Sequence, residues 1–286
     1  MSLRSLVKKT LNVFLSAAGA ELIKARTRLQ TRKLGRITIQ NAGFDGTYTT
    51  ATGVTWQSIF PNRNPKDGKA VFFRSQFNLD WLDDFQILPT VIFDIGSYDA
   101  GDSIRFKSRF PKAKVVAFEA DPRLHGNLAQ YVSHFGVESF HGAVCDHDGT
   151  ASFFLATEIK EDGERAGGQG SLHKHTDDYR KTYDHIRQAP APTVVPATRV
   201  DTYCRQNNID HIDVTHIDAE GAELEVVKGF GDMRPTLVFV ETVLGTGWEN
   251  TSRKELYQTL EGMGYRLALD LPSDRLYYYD PAPKAP

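Results

Sequence analysis

The sequence predicts a doubly wound α/β fold: a mostly parallel sheet of about seven strands with an antiparallel last strand, preceded by an N-terminal helical extension. Three observations lead there. The stretch Val91, Ile92, Phe93 and Ile95 is apolar without alternation, as in a strand buried on both faces. From that point strand-like and helix-like stretches alternate, the βαβ rhythm of a parallel sheet. Three of the strand-like runs end in or beside an acid, at Asp94, Glu119 and Asp218.

Taken in order, the first strand runs into Gly96 and Gly101, which let the backbone turn sharply and approach a ligand closely. A helix is expected near 101–110, and KVVAFE at 114–119 forms the second strand. Pro122 sits well at the first position of a helix that ends before Gly136, with Asp121 as its N-cap. A third strand closes on the turn DHDG at 146–149. TASFFLA and PTVVPATRV have extended character on either side of an insert and can pair antiparallel. A strand at 212–217, a helix at 222–229, a strand at 236–241 and a helix near 251–263 follow. YRLALDL and RLYYYD then read as a hairpin around PSD, which supplies the antiparallel strand.

The insert, about residues 157–192, is polar, carries Gly167, Gly168 and Gly170, and reads as a flexible, lid-like loop. His173 and His175 lie two apart with no fixed third ligand, so no metal is assigned and solvated or substrate-contacting roles come first. Residues 37–88 read as an N-terminal cap in which KAVFFRS is strand-like and LDWLDDF a short helix; residues 89–286 form the main domain.

Residues 1–36 hold nine Lys or Arg against one acid, Glu21, and Leu3, Val7, Leu11, Phe14, Ala18 and Leu22 form an apolar stripe. Such a basic amphipathic helix either rests on an anionic membrane surface or packs on the domain or a partner. A signal peptide is disfavoured because Asn12 and Ser16 break a short apolar run. Vesicle co-sedimentation separates the first two readings. Each basic side chain near an anionic surface contributes about 1 kcal/mol, so membrane binding is expected to require anionic lipid and to fall with salt. An intact chain that stays in the supernatant makes the helix structural.

The whole chain carries a formal charge of −2, so with its basic start removed the remainder is net acidic, which argues against a nucleic-acid partner. Cys145 and Cys204 are the only cysteines and lack metal or redox spacing, which fits a reducing cytoplasm, with peripheral contact at the inner membrane face if residues 1–36 bind lipid.

At the carboxyl ends of adjacent parallel strands, Asp94, Glu119 and Asp218 would converge on the crevice where open α/β sheets bind ligands. Glu119 lies 23 residues beyond Gly96, near the spacing at which an acid meets ribose hydroxyls. Those hydroxyls would supply the donors that a buried carboxylate needs. Tyr98 occupies the middle glycine's place in a G-x-G-x-x-G pattern, so a pyrophosphate could not approach closely. A nucleoside ligand without pyrophosphate fits better, and a nicotinamide-dependent oxidoreductase, also lacking a Tyr-x-x-x-Lys pair, becomes the alternative. A non-catalytic nucleoside-binding scaffold is the other.

DIGSYDAG, FEADP and HIDAEGAELEVVKG together resemble the motifs of the FkbM-type S-adenosylmethionine-dependent methyltransferases, over about residues 90–280. Ser97 and Tyr98 replace the usual Ala-Asn, Ala120 a common Pro, and His216 a common Lys. The resemblance implies a class I, Rossmann-like methyltransferase domain with S-adenosylmethionine held by Asp94, Gly96, Ser97, Tyr98, Gly101, Glu119, Ala120 and Asp146. It implies a hydroxyl acceptor on a sugar, glycolipid or secondary metabolite. Asp218 is then the expected base or orienter, with Glu220, His216 and His173 as lesser candidates. Glu241, Ser171 and His175 would face the acceptor. Asp218, Glu220 and Glu241 would form an acidic wall able to take a proton or hold a divalent cation. Glu223 is accounted for by the positive end of the following helix.

Overall fold

A computed structural model of the chain describes residues 75–280 apart from 162, 243–246, 250, 251 and 272. The expected helical extension and residues 37–74 of the expected cap lie outside the described residues. The chain divides into two units. The described part of one is residues 78–88, which carry the short helix α1 (Asp80–Asp84) expected from LDWLDDF. The other holds residues 75–77 and everything from Pro89 onward.

In this second unit β1 (Val91–Ile95), β2 (Lys114–Glu119), β3 (Glu138–His141), β10 (Val214–Ile217) and β11 (Leu237–Glu241) are parallel, and β12 (Tyr265–Asp270) and β13 (Asp274–Tyr279) complete a seven-stranded sheet. Its order is β12-β13-β11-β10-β1-β2-β3, with β13 antiparallel to both neighbours. Strand order reverses between β1 and β10, so the ligand crevice of such a sheet falls at their carboxyl ends. β1 is buried along its whole length, as the apolar residues on both sides of Asp94 require.

α2 (Gly101–Arg109) links β1 to β2, and α3 (Pro122–Val132) links β2 to β3. Asp121 caps α3 as expected, accepting from the Arg123 N–H at 2.8 Å. α5 (Val200–Gln206) sends Tyr203 into an aromatic cluster with Phe93 and Phe118, its ring 4.8 Å from that of Phe118. α6 (Glu223–Lys228) joins β10 to β11. α7 (Arg253–Gly262) starts at Ser252, whose hydroxyl accepts from the Glu255 N–H.

The third strand leaves the main sheet early. At Gly142 (φ +154°) the chain passes into β4 (Ala143–Val144), which pairs with β9 (Thr193–Thr198); β9 pairs antiparallel with β5 (Gly149–Phe153), as TASFFLA and PTVVPATRV predict. A Cβ at Gly142 would lie 2.7 Å from the Pro196 carbonyl oxygen, so only glycine permits this crossing.

The insert differs from its expectation. It is an ordered substructure rather than a flexible loop: β6 (Ala156–Lys160), β7 (Gly163–Ala166) and β8 (Ile186–Gln188) make a three-stranded sheet, with α4 (Asp177–Thr182) between β7 and β8. Polar composition concealed it because β6 and β7 are two-sided and largely solvated, with ion pairs such as Arg165–Glu158 replacing an apolar stripe. Buried Ala156, Tyr179, Ile186 and Trp248 supply its own apolar centre.

Candidate functional site

The carboxyl ends of β1, β2 and β10 enclose a cavity floored by Gly96 and by the backbone after β2, Glu119 and Ala120. Gly142, Ala143 and Val144 form one side, Asp218 and Glu220 the other. The insert contributes Gly168, Gly170 and Leu172. Part of the insert, read from the sequence as lid-like, thus walls the same cavity as Glu119.

Gly96 has φ +82°, and a Cβ there would stand 1.8 Å from the Asp218 carbonyl oxygen. The β1 turn and the β10 turn are in backbone contact, which only glycine allows. Gly96→Ala adds both left-handed strain of about 1–3 kcal/mol and that clash. It is expected to lower the melting temperature by roughly 4–8 °C, taking about 2 kcal/mol in a chain of this size. Thermal unfolding checks it; an unchanged transition means the two turns can separate freely.

Beyond Gly96 the backbone stays unusual, with Tyr98 at φ +48° and Ala100 at φ +57°. The Tyr98 N–H donates to Glu119 Oε2 at 2.8 Å and the Asp121 N–H to Oε1 at 2.8 Å. Glu119 thus holds the loop as well as facing the cavity, and some of the donors expected from a ligand come from the chain itself. Burial pushes its carboxyl up to about 8, against the pull of those backbone bonds. The Tyr98 ring packs on Gly168, where a Cβ would lie 3.1 Å from it. Gly101 heads α2 and donates to Asp99 Oδ1 at 3.0 Å. Ser97 Oγ is buried with no hydrogen-bond partner among the described residues.

Asp94 accepts from Ser103 Oγ at 2.5 Å and pairs with His216 Nδ1 at 2.7 Å across the β1–β10 register. Burial lowers the His216 pKa, but the Asp94 hydrogen bond and charge more than offset it, leaving the ring at about 9. His216, stacked on Phe239, is therefore an imidazolium engaged by Asp94, not a base facing an acceptor. Asp146 is a further correction: it is exposed, paired with His147 at 2.8 Å and absent from the cavity lining, where Ala143 and Val144 stand instead.

Asp218, Glu220 and Glu241 each place a carboxylate oxygen within 4.8 Å of the others. Burial raises all three, and the hydrogen bond between Asp218 and Glu241 raises Glu241 while lowering Asp218. Asp218 and Glu241 therefore titrate as one hydrogen-bonded pair, raised by burial and, for Glu241, by the Asp218 charge. Asp218 Oδ1 is buried without a partner among the described residues. Glu220 holds φ +51°, and Glu223, raised to about 7 by burial, accepts from the N–H groups of Ala219 and Gly221. Glu223 therefore braces the turn, a more specific task than a dipole contact.

The histidines of the insert are also held. His173 Nε2 lies 3.2 Å from Glu225 Oε1. His175 is fully buried, its ring 4.3 Å from that of Tyr179 and its Nε2 3.1 Å from the Gln169 carbonyl oxygen. Ser171 is likewise fully buried, its hydroxyl on the Glu220 carbonyl oxygen at 2.6 Å. Neither Ser171 nor His175 is placed to meet an acceptor, because both side chains anchor the insert.

Against known sequences, residues 94–267 match the profile described as "Methyltransferase FkbM domain". The chain belongs to the FkbM methyltransferase family. The match begins at Asp94 and takes in Glu119, the whole insert and the Asp218–Glu223 turn. A 2-O-methyltransferase, NoeI of Sinorhizobium fredii (strain NBRC 101917 / NGR234), is 27% identical over 169 residues, 59% of this chain and 65% of that protein, a little under two thirds of its length. Methyltransferase sdnD of Sordaria araneosa is 26% identical over 224 residues, 71% of this chain and 84% of that protein. The crystal structure of methyltransferase FkbM from Methylobacillus flagellatus KT aligns with a TM-score of 0.38 at 14% identity, covering 67% of this chain and 44% of that one.

Among family members S-adenosylmethionine is the methyl donor, and the residues present here fit it. Glu119 offers a buried carboxylate, Ser97 an unpartnered hydroxyl, and Gly96 a turn with no side chain over the cavity floor. Ala143 and Val144 offer the apolar surface that a purine needs.

Proposed function

We propose that the protein transfers a methyl group from S-adenosylmethionine to a hydroxyl of a sugar, glycolipid or secondary metabolite. The observation that carries this reading is the presence, in one cavity at the sheet's switch point, of the buried Glu119 carboxylate together with Asp218 and Glu220, beside which Glu241 is clustered. Family membership supports methyl transfer, and the name of the 2-O-methyltransferase relative supports oxygen as the acceptor atom.

When bound, S-adenosylmethionine supplies an electrophilic methyl on a sulfonium. Glu119 would hold the ribose hydroxyls, and Ala143 with Val144 would flank the adenine. Asp218 would receive the acceptor's hydroxyl proton as its oxygen bonds to the methyl carbon, while the carbon–sulfur pair returns to sulfur. Glu241, hydrogen-bonded to Asp218, would share the pair's proton and orient the Asp218 carboxylate. An alcohol is a weak acid, so a positioned carboxylate acts as the new bond forms, and alignment with exclusion of water supplies the rest. Gly168, Gly170 and Leu172 of the insert complete the cavity lining.

Isothermal titration with S-adenosylmethionine, S-adenosylhomocysteine and NAD is the direct test. Binding of the first two without NAD is expected, together with label transfer from methyl-labelled cofactor into cell-extract metabolites. Binding of NAD alone would move the protein to the oxidoreductases, and cofactor binding with no transfer into any extract would make it a nucleoside-binding scaffold.

A further inference from the structure

The segment 171–175 of the insert lies across the turn that follows β10. Ser171 is its first contact. The Ser171 backbone is fixed independently of its side chain, because its N–H and C=O both bond Phe154, at 3.1 and 2.7 Å. The hydroxyl then does two things at once: it accepts from the His173 N–H at 2.9 Å and donates to the Glu220 carbonyl oxygen at 2.6 Å.

Glu220 is a non-glycine residue in the left-handed region, at φ +51°. Such a conformation is strained and persists only where surrounding contacts over-determine it. Returning Glu220 to right-handed backbone would reorient its carbonyl and break the 2.6 Å bond to Ser171. Two further contacts keep the segment in place. His173 meets Glu225, and His175 forms a backbone bridge with Trp248, whose ring covers Gly221 so closely that a Cβ there would lie 2.8 Å away.

We propose that Ser171 is a positioning residue for Glu220: its hydroxyl holds the left-handed turn, and the turn holds the Glu220 carboxylate beside Asp218 and Glu241. The insert therefore sets the acidic side of the cavity without touching the acceptor. The consequence for catalysis rests on the methyl-transfer reading; the backbone consequence does not.

The crystal structure of Ser171→Ala tests the backbone part with no ligand. Glu220 is expected to leave the φ +51° region. If it stays there with its carboxylate beside Asp218, the proposal is overturned. Kinetics test the rest, with a fixed extract fraction as acceptor. Ser171→Ala is expected to lower kcat roughly tenfold with KM for S-adenosylmethionine changed less than about twofold, and Ser171→Thr, which keeps the hydroxyl, to recover most of the rate. Equal loss in Ala and Thr variants, or a loss confined to KM, overturns the positioning role. A wild-type protein that binds no S-adenosylhomocysteine at all defeats the methyl-transfer reading instead, and leaves the backbone result standing.

Discussion

Asp218→Asn is expected to lower methyl transfer by about 10²- to 10⁴-fold, the usual contribution of a positioned general base. The amide keeps the shape of the carboxylate but cannot take a proton. In the proposed role, where the side chain acts on the forming bond rather than on cofactor affinity, the loss should fall on kcat. Glu241 supplies the contrast. It is hydrogen-bonded to Asp218, and Glu241→Gln still donates a hydrogen bond there, so the rate should fall by no more than roughly tenfold. Glu241→Ala removes that donor and leaves Asp218 beside Glu220 without it, so the loss should be larger. Single-turnover transfer of a labelled methyl group measures all three. Asp218→Asn at near wild-type rate would place the base elsewhere, with Glu220 the next residue to replace.

The strands of the main sheet were legible because burial on both faces writes an unbroken apolar run into the sequence, and VIFDI and KVVAFE have little choice of environment. Strand-end position then put Glu119 and Asp218 at the crevice, since the carboxyl ends of parallel strands share one edge. The insert was not legible for the opposite reason. β6 and β7 bury little, so no periodicity marks them, and the glycines at 168 and 170 read as flexibility when each is needed for contact, with Tyr98 and with Phe153. Residue type alone also could not say which way a side chain turns. His216 carries chemistry suited to a base, but its register opposite Asp94 decides otherwise, and that register is a property of two strands 122 residues apart. Ser171 and His175 show the same limit: polar residues in a polar insert proved fully buried because they hold it down.

Glu119→Gln is expected to weaken S-adenosylmethionine binding about ten- to a hundredfold, the cost of losing one charged hydrogen-bond partner at roughly 1.5–3 kcal/mol. Its pH dependence makes the assignment more stringent. Burial raises the Glu119 carboxyl from its ordinary range to about 8, so in the unliganded protein it is mostly protonated at neutral pH. Ribose hydroxyls donate best to the ionised carboxylate, which means that binding below that pH must release a proton. Affinity should therefore climb with pH by up to about tenfold per unit below 8 and level off above it, while Glu119→Gln should show no such climb. Stability of the unliganded fold runs the opposite way with pH. A carboxyl raised in the folded state favours folding while protonated, fully below its unfolded value, and that contribution is lost as pH rises toward 8; bound cofactor, by stabilising the ionised form, should reduce the loss. Titration calorimetry in buffers of different ionisation enthalpy reads the released proton directly. Proton release that persists in Glu119→Gln would assign the titration to Glu223, raised to about 7 in the neighbouring turn, and the ribose contact to another residue.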